Sequence, residues 1–462
     1  MINIDSICAI ATSPGMGAIA VIRISGPQAI FITEKIFDSK SRKKLSEVKS
    51  HTLHFGFIKE DNKIIDEVLI SVFKGPNSFT GENTIEISCH GSVYIQQQIL
   101  QLLIKTGARA AKPGEFTLRA YLNKKIDLSQ AEAVADLIAS DSEASHQIAM
   151  HQMRGGFAKE LNDLREKLIN FASLIELELD FSEEDVEFAN RKDLQDLLKH
   201  IQKVLSRLIN SFSVGNVIKT GIPVAIAGEP NVGKSTLLNA LLNEERAIVS
   251  EIAGTTRDTI EDEINIDGVV FRFIDTAGIR ETQNTIEALG ISRTYDAIEK
   301  ARVLLYMFDA YNDSPQTIQK NTALLQEKIK KLPVHLILLA NKADKINLDE
   351  LKLKFSELEN VIFISAKQKE NLEELTQKLS SFINTGLLQS GQTIVSNVRH
   401  YEALKKASEA IDSVNTGLVS GISSDFLAID IRKSLFHLGE ITGSITTDDL
   451  LENIFRNFCI GK

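Results

Sequence analysis

The chain has 462 residues, enough for about three domains at ~150 residues each. Apolar residues make up 43% and charged residues 25%, an ordinary globular balance, and the net charge of −10 excludes a whole-chain basic footprint for nucleic acid, so any RNA contact needs a local patch or a partner. Cys8, Cys89 and Cys459 are too few and too scattered for a disulfide framework or a zinc site, which fits a reducing, cytoplasmic compartment. Met1-Ile2-Asn3-Ile4-Asp5 has neither the basic region nor the apolar core of a signal peptide. No run of ~18 apolar residues predicts a membrane span.

From residue 1 to about 117, strand-like runs recur at 7–11, 19–24, 53–58, 68–73 and 84–89, divided by turn signals such as Ser13-Pro14-Gly15 and Lys74-Gly75-Pro76-Asn77. Helical patterns fall at 27–37 and 93–105, so this segment reads as an α+β domain. Arg23 ends a strand, Glu82 follows the turn Phe79-Thr80-Gly81, and His90-Gly91 ends another strand. Taken singly, each is more often structural than functional: a surface Arg, a capping carboxylate, a satisfied His.

From 118 to 213 the pattern is helical. Asp127 or Ser129 caps a helix beginning at Ala131-Glu132-Ala133, and Arg154-Gly155-Gly156 marks a break. Leu161, Leu164, Leu168, Phe171 and Ile175 form one apolar stripe; Leu194, Leu197, Ile201, Val204 and Leu208 form a second. The acidic run Glu183-Glu184-Asp185 is either a solvated helix start or a metal site. Helical stripes return at 380–462 with Leu404, Ala407, Ile411, Val414 and then Leu427, Ile431, Leu435, Leu438. The expectation is one helical bundle interrupted by an inserted domain; two separate helical modules are the other reading.

The insert, 214–379, opens on Gly228-Glu229-Pro230-Asn231-Val232-Gly233-Lys234-Ser235-Thr236, which has P-loop spacing between an apolar strand-like run and a helical pattern. Glycines let successive N–H groups surround phosphate oxygens at a helix N-terminus. Lys234 would reach the β- and γ-phosphates and the Ser235 hydroxyl would bind Mg²⁺. Four motifs follow in order: Gly254-Thr255-Thr256-Arg257-Asp258, Asp275-Thr276-Ala277-Gly278, Asn341-Lys342-Ala343-Asp344 and Ser365-Ala366-Lys367. Thr256 supplies the second hydroxyl on Mg²⁺, Asp275 reaches it through water, and the Gly278 N–H meets the γ-phosphate. Asp344 accepts two hydrogen bonds from guanine, a pair adenine lacks, so the nucleotide is GTP. A Gln often follows the second of these motifs and orients the attacking water. Here Ile279 stands in its place. Glu287 either orients water or is a surface residue; Asn231 either ligates a monovalent cation in place of an arginine finger or only stabilises its turn.

Taken together, the chain resembles the MnmE (TrmE) family of tRNA-modification GTPases. The resemblance rests on Ala11-Thr12-x-Pro14-Gly15 through Arg23-Ile24-Ser25-Gly26-Pro27, Phe79-Thr80-Gly81-Glu82, His90-Gly91, Pro113-Gly114-Glu115-Phe116-Thr117 with Arg119-Ala120 and Asn123, Lys125-x-Asp127-Leu128 before Gln130-Ala131-Glu132-Ala133, and Phe458-Cys459-Ile460-Gly461-Lys462. It implies an N-terminal α+β folate-binding and dimerisation domain (1–117), a helical domain in two parts (118–213 and 380–462), and a Ras-like P-loop GTPase domain (214–379) inserted into it.

The resemblance further implies a K⁺-activated GTPase that modifies C5 of the wobble uridine of certain tRNAs. Its partner is FAD-dependent MnmG (GidA), in a heterotetramer with the homodimer. Its one-carbon donor is a tetrahydrofolate derivative, 5-formyl- or 5,10-methylene-tetrahydrofolate. By motif match the folate contacts fall on Arg23, Glu82, Lys125 and Lys462. The nucleotide loop runs Ser250-Glu251-Ile252-Ala253-Gly254-Thr255-Thr256; potassium ligands fall on Asn231, Ser250, Ile252 and Thr255. Glu287 matches a water-orienting glutamate and Cys459 a terminal catalytic cysteine, though a cysteine in that position is otherwise readable as part of an inert tail. A GTPase switch in ribosome assembly is the competing function; it usually carries a dedicated RNA-binding module, and no Gly-x-x-Gly pattern or basic tail follows this domain.

Overall fold

The structure is a computed structural model that describes residues 5–180, 191–245, 262–274, 297–330, 332, 334–382, 392–420, 422–456 and 458–461. The chain divides into two compact units: residues 1–139, 149–206 and 402–462 form the first, and 140–148 with 207–401 form the second.

The first unit is built on β1 (Ile7–Ile10), β2 (Ile19–Ser25), β3 (Phe37–Ser39), β4 (Thr52–Glu60), β5 (Lys63–Phe73), β6 (Thr84–His90) and β7 (Arg109–Ala110), in the order β3-β4-β5-β6-β2-β1-β7. Neighbours are antiparallel except β1 and β7. Period-two alternation explains the layering: Val68, Ile70 and Val72 face inward along β5, and Ile70 and Ile22 both pair with Ile87. That face is covered by α1 (Ala29–Ile36) and α2 (Val93–Lys105), through Ile32, Ile99 and Leu103. The sheet is longer than the sequence runs because Lys63–Glu67 pairs with the end of β4 rather than burying apolar groups.

Next come α3 (Glu115–Leu122) and α4 (Leu128–Ala139). Asp127 caps α4: its Oδ1 accepts from the Gln130 N–H at 2.9 Å and from the Ser129 hydroxyl at 2.6 Å, so Ser129 lies inside the helix rather than at its cap. Helix α5 (Glu143–Met153) ends at the expected glycine break, and α6 (Gly156–Asp180) packs along the helix Ser424–Thr442. In α7 (Arg191–Thr220) the buried row is Leu194, Leu198, Ile201, Leu205 and Leu208, one residue out of phase at two positions from the expected stripe. Gln202 of α7 donates to the Ser408 hydroxyl at 2.9 Å, on the helix Val398–Val419. Helices from before and after the insert therefore share one core, as a single interrupted bundle requires. The acidic run 183–185 lies outside the described residues.

The second unit carries a six-stranded sheet: β8 (Ile222–Ala227), β9 (Asp262–Ile266), β10 (Val269–Phe273), β11 (Val303–Asp309), β12 (His335–Asn341) and β13 (Val361–Phe363), ordered β13-β12-β11-β8-β10-β9. Only β9 with β10 is antiparallel. Every residue of β11 is buried, as expected for a parallel strand covered on both faces. Strand order reverses at β8, so a crevice opens at the carboxyl ends of β8, β11 and β12, where α8 (Lys234–Glu245) also begins. Together the units hold an N-terminal α+β domain, a helical bundle and a Ras-like P-loop fold.

Candidate functional site

The loop after β8 is shaped by its backbone. Gly228 has φ 152° and Gly233 φ 104°, and Asn231 sits at φ 64°. A Cβ at Gly228 would lie 2.2 Å from the Met307 carbonyl oxygen, and one at Gly233 2.4 Å from Asn341 Nδ2. Only glycine fits either place. Val232 is buried, which anchors the loop; Ser235 is half-buried and Thr236 exposed on the first turn of α8. Lys234 donates Nζ to the carbonyls of Gly228 at 2.5 Å and Glu229 at 3.0 Å, spanning the loop mouth. Burial pushes its pKa down and the Glu229 charge only partly offsets this.

Two further loops converge on this one. Asn341 ends β12; its Nδ2 donates to the Val232 carbonyl at 2.7 Å and its Oδ1 accepts from the Ala366 N–H at 2.9 Å. One side chain thus joins the P-loop, the loop after β12 and the loop after β13. Ser365 and Ala366 are both buried, and Ser365 closes its turn by paired backbone bonds with Glu370. Lys342, at φ 64°, donates to the Asn231 carbonyl at 3.2 Å and to Asp309 at 2.7 Å. Asp344 is exposed on the short 3₁₀ turn Ala343–Lys345, open to a ligand. Asp309 was not singled out from the sequence; its position at the end of a fully apolar strand was the available signal.

In the first unit, a second cluster gathers on β2 and the turn before β6. Arg23 donates Nε to Glu86 at 2.9 Å and Nη1 to the Gly461 carbonyl at 3.3 Å, with its guanidinium 5.8 Å and 5.7 Å from the ring centres of Phe79 and Phe116. Glu82 accepts from the Ser25 hydroxyl at 2.8 Å and from Arg119 at 3.3 Å on both oxygens. Arg119 is itself held by Asp5 and Glu115, and Glu115 by Arg109. Burial pushes the Glu115 carboxyl up, but hydrogen bonds from Arg109 and the Lys112 N–H outweigh it and hold the group below the usual range. Lys125 is exposed and donates to the Pro76 carbonyl at 3.0 Å.

The segment ending the described chain is docked rather than frayed. The Gly114 N–H donates to the Cys459 carbonyl at 3.3 Å, and Gly461, at φ 97°, packs so closely that a Cβ would lie 2.3 Å from the Ile10 carbonyl oxygen. Cys459 is exposed beside these two anchors. Arg23, Glu82 and the Cys459–Gly461 segment thus share one neighbourhood, with Lys125 one turn away at Gly81. Glu287, Ser250–Thr256, Asp275–Gly278 and Lys462 lie outside the described residues. Among the described residues no helix is long and apolar enough to cross a membrane, and no cluster of three or more metal-ligating side chains occurs.

Comparison with known proteins adds the family. A profile described as "MnmE helical domain" matches residues 128–459, and one described as "GTP-binding protein TrmE N-terminus" matches 6–125. A Flavobacterium psychrophilum protein is 60% identical over 464 residues, covering 100% of both chains. A Christiangramia forsetii protein is 58% identical over 470 residues, covering 99% of each, and a Bacteroides fragilis protein 58% identical over 471, covering 100% of each. Each of the three bears the description "tRNA modification GTPase MnmE".

Proposed function

The chain belongs to the MnmE family of tRNA modification GTPases, and from that premise we propose that it is a K⁺-activated GTP hydrolase whose turnover serves C5 modification of the wobble uridine of certain tRNAs. The observation that carries this reading is Asn341, whose one side chain gathers the P-loop and both base-reading loops into a single crevice. Asp344 stands exposed at its rim, where a carboxylate would accept from guanine N1–H and the 2-amino group.

The residues present suit the expected ions. Ser235, on the first turn of α8, with Thr256, would hold Mg²⁺; Asn231, with Ser250, Ile252 and Thr255, would hold K⁺. When bound, these ions supply positive charge to the β- and γ-phosphate oxygens, the service an arginine finger renders elsewhere. Lys234, already turned across the loop mouth, exchanges its carbonyl partners for phosphate oxygens. Asp275 and the Gly278 N–H complete the phosphate end, and Glu287 orients the attacking water that Ile279 cannot.

The N-terminal cluster suits a folate. Glu82 offers carboxyl oxygens to ring N–H groups, and Arg23, Lys125 and Lys462 are cations for the pterin or the glutamate tail. Cys459, presented by the docked tail, is the catalytic thiol of that site. Leu53, Phe55 and Leu69 are exposed on one face of β4 and β5, with Phe55 directly opposite Leu69; such an apolar face supports the homodimer. MnmG and tRNA are the remaining partners in this reading, with division into 1–117, 118–213, 214–379 and 380–462.

Mass spectrometry of wobble uridines from cells lacking the gene tests it. Loss of the C5 substituent, restored by the parent gene, is expected; unchanged nucleosides sink the modification reading and favour a ribosome-assembly switch. GTPase rates at equal ionic strength in K⁺ and Na⁺ test the ion, and equal rates remove it.

A further inference from the structure

Two hydrogen bonds hold the Asn231–Val232 stretch of the P-loop. Lys342 donates to the Asn231 carbonyl and Asn341 donates to the Val232 carbonyl, while the next residue, Gly233, leaves no room for a Cβ beside Asn341 Nδ2. The first of these is the one on the candidate cation ligand. It needs a lysine in a left-handed backbone to cross to a loop 111 residues away and reach another left-handed residue. A lysine with four rotatable bonds does not stay there by one 3.2 Å bond to a carbonyl.

What fixes Lys342 is Asp309, the last residue of β11. Its carboxylate is almost fully buried, with 8% of the side chain exposed. One oxygen takes Lys342 Nζ at 2.7 Å and Asn312 Nδ2 at 2.8 Å; the other takes the N–H groups of Tyr311 and Asn312 at 3.0 and 3.2 Å. The β11 strand is paired to β12 through Asp309 and Asn341, and the Ala310 N–H donates to the Asn341 carbonyl at 2.9 Å. The carboxylate is therefore held by three donors of its own turn besides the lysine.

We propose that Asp309 is a positioning residue: through Lys342 it fixes the left-handed Asn231 and so joins guanine recognition to the monovalent-cation site. The inference rests on the potassium reading above for its second half only. A single carboxylate then holds both the base-side lysine and the cation-side asparagine in register. The competing account gives Asp309 nothing beyond shaping its own 309–313 turn.

The test is a double-mutant cycle in the full chain. Asp309→Asn keeps an oxygen for the Tyr311 and Asn312 N–H groups and removes the charge facing Lys342. It should weaken GDP binding about 10-fold and raise the K⁺ concentration for half-maximal GTPase rate by a similar factor, as loss of a charged hydrogen-bond partner does. Combined with Lys342→Met it should add nothing to the loss caused by Lys342→Met alone. Additive losses, or parent-like GDP affinity and K⁺ dependence in Asp309→Asn, overturn the proposal. If the parent itself runs equally in K⁺ and Na⁺, the potassium reading falls while the GDP cycle still decides the role of Asp309. Should Asp309→Asn lower the melting temperature, Asp309→Glu, which restores the charge, must recover GDP affinity; failure to do so overturns it as well.

Discussion

Arg23 donates Nη1 to the carbonyl of Gly461, 438 positions later in the chain, at 3.3 Å. The bond places the last described turn of the protein against the second strand of its first sheet. Because Gly461 has φ 97° and meets the Ile10 carbonyl, its replacement by alanine forces the tail out. On the role proposed above for Cys459, Gly461→Ala should reduce tRNA modification by about 10-fold or more, since a misplaced reacting group costs that much. GTP hydrolysis by the variant alone should match the parent. Parallel loss of both activities would mean the substitution damages the fold rather than the tail.

Thiol chemistry separates the three cysteines. Burial pushes Cys8 up to about 12 and Cys89 up to about 11, while Cys459 is exposed. At pH 8 iodoacetamide should label Cys459 alone in the native protein and all three in guanidinium. Peptide mapping that finds native label on Cys8 or Cys89 contradicts the described core.

Gly233→Ala should weaken GTP binding about 10-fold or more, from left-handed strain of a few kcal/mol and a Cβ 2.4 Å from Asn341 Nδ2. A nucleotide titration gives the answer directly, and parent-like affinity would mean that Asn341 yields at no cost.

Glu115 gives a signed pH dependence. Its folded pKa is held below the unfolded value, so its contribution is complete above the ordinary carboxylate range, near about 4.3, and is lost as pH falls through the folded value. Glu115→Gln should destabilise the protein by about 1–3 kcal/mol at neutral pH, because Arg109 and Arg119 each lose one carboxylate partner while Asp5 still holds both. Melting temperatures between pH 7 and 3 check it. The parent curve should fall more steeply than that of the variant and converge on it in acid; two parallel curves would exclude the linkage.

Much of this was legible in the sequence where the signal is local. The P-loop is encoded by backbone requirements at Gly228 and Gly233, so its spacing alone predicts it. Inward rows such as Ile70 and Val72 follow from alternation. The phase of α7 did not: Leu197-Leu198 and Val204-Leu205 are adjacent apolar pairs, and only packing chooses Leu198 and Leu205. Strands β3 and β7 span three and two residues and exist as partners for β4 and β1, with no pattern of their own. The carboxylates and guanidinia around Glu82 were invisible as a set, because Arg109 and Arg119 meet Asp5 across 104 and 114 positions.

The interleaving of the two units has a consequence for how the protein is made. The chain passes between them at 139/140, 148/149, 206/207 and 401/402. On a ribosome the contiguous stretch 207–401 emerges whole and can begin to fold, while the unit that starts at the N-terminus still lacks its closing helices. Arg23 waits for Gly461 through 438 further additions, roughly 20–90 s at about 5–20 residues per second. For that interval the first sheet stands without the tail that packs on Ile10, so the order of synthesis completes the N-terminal site only after the whole of 207–401 has been made.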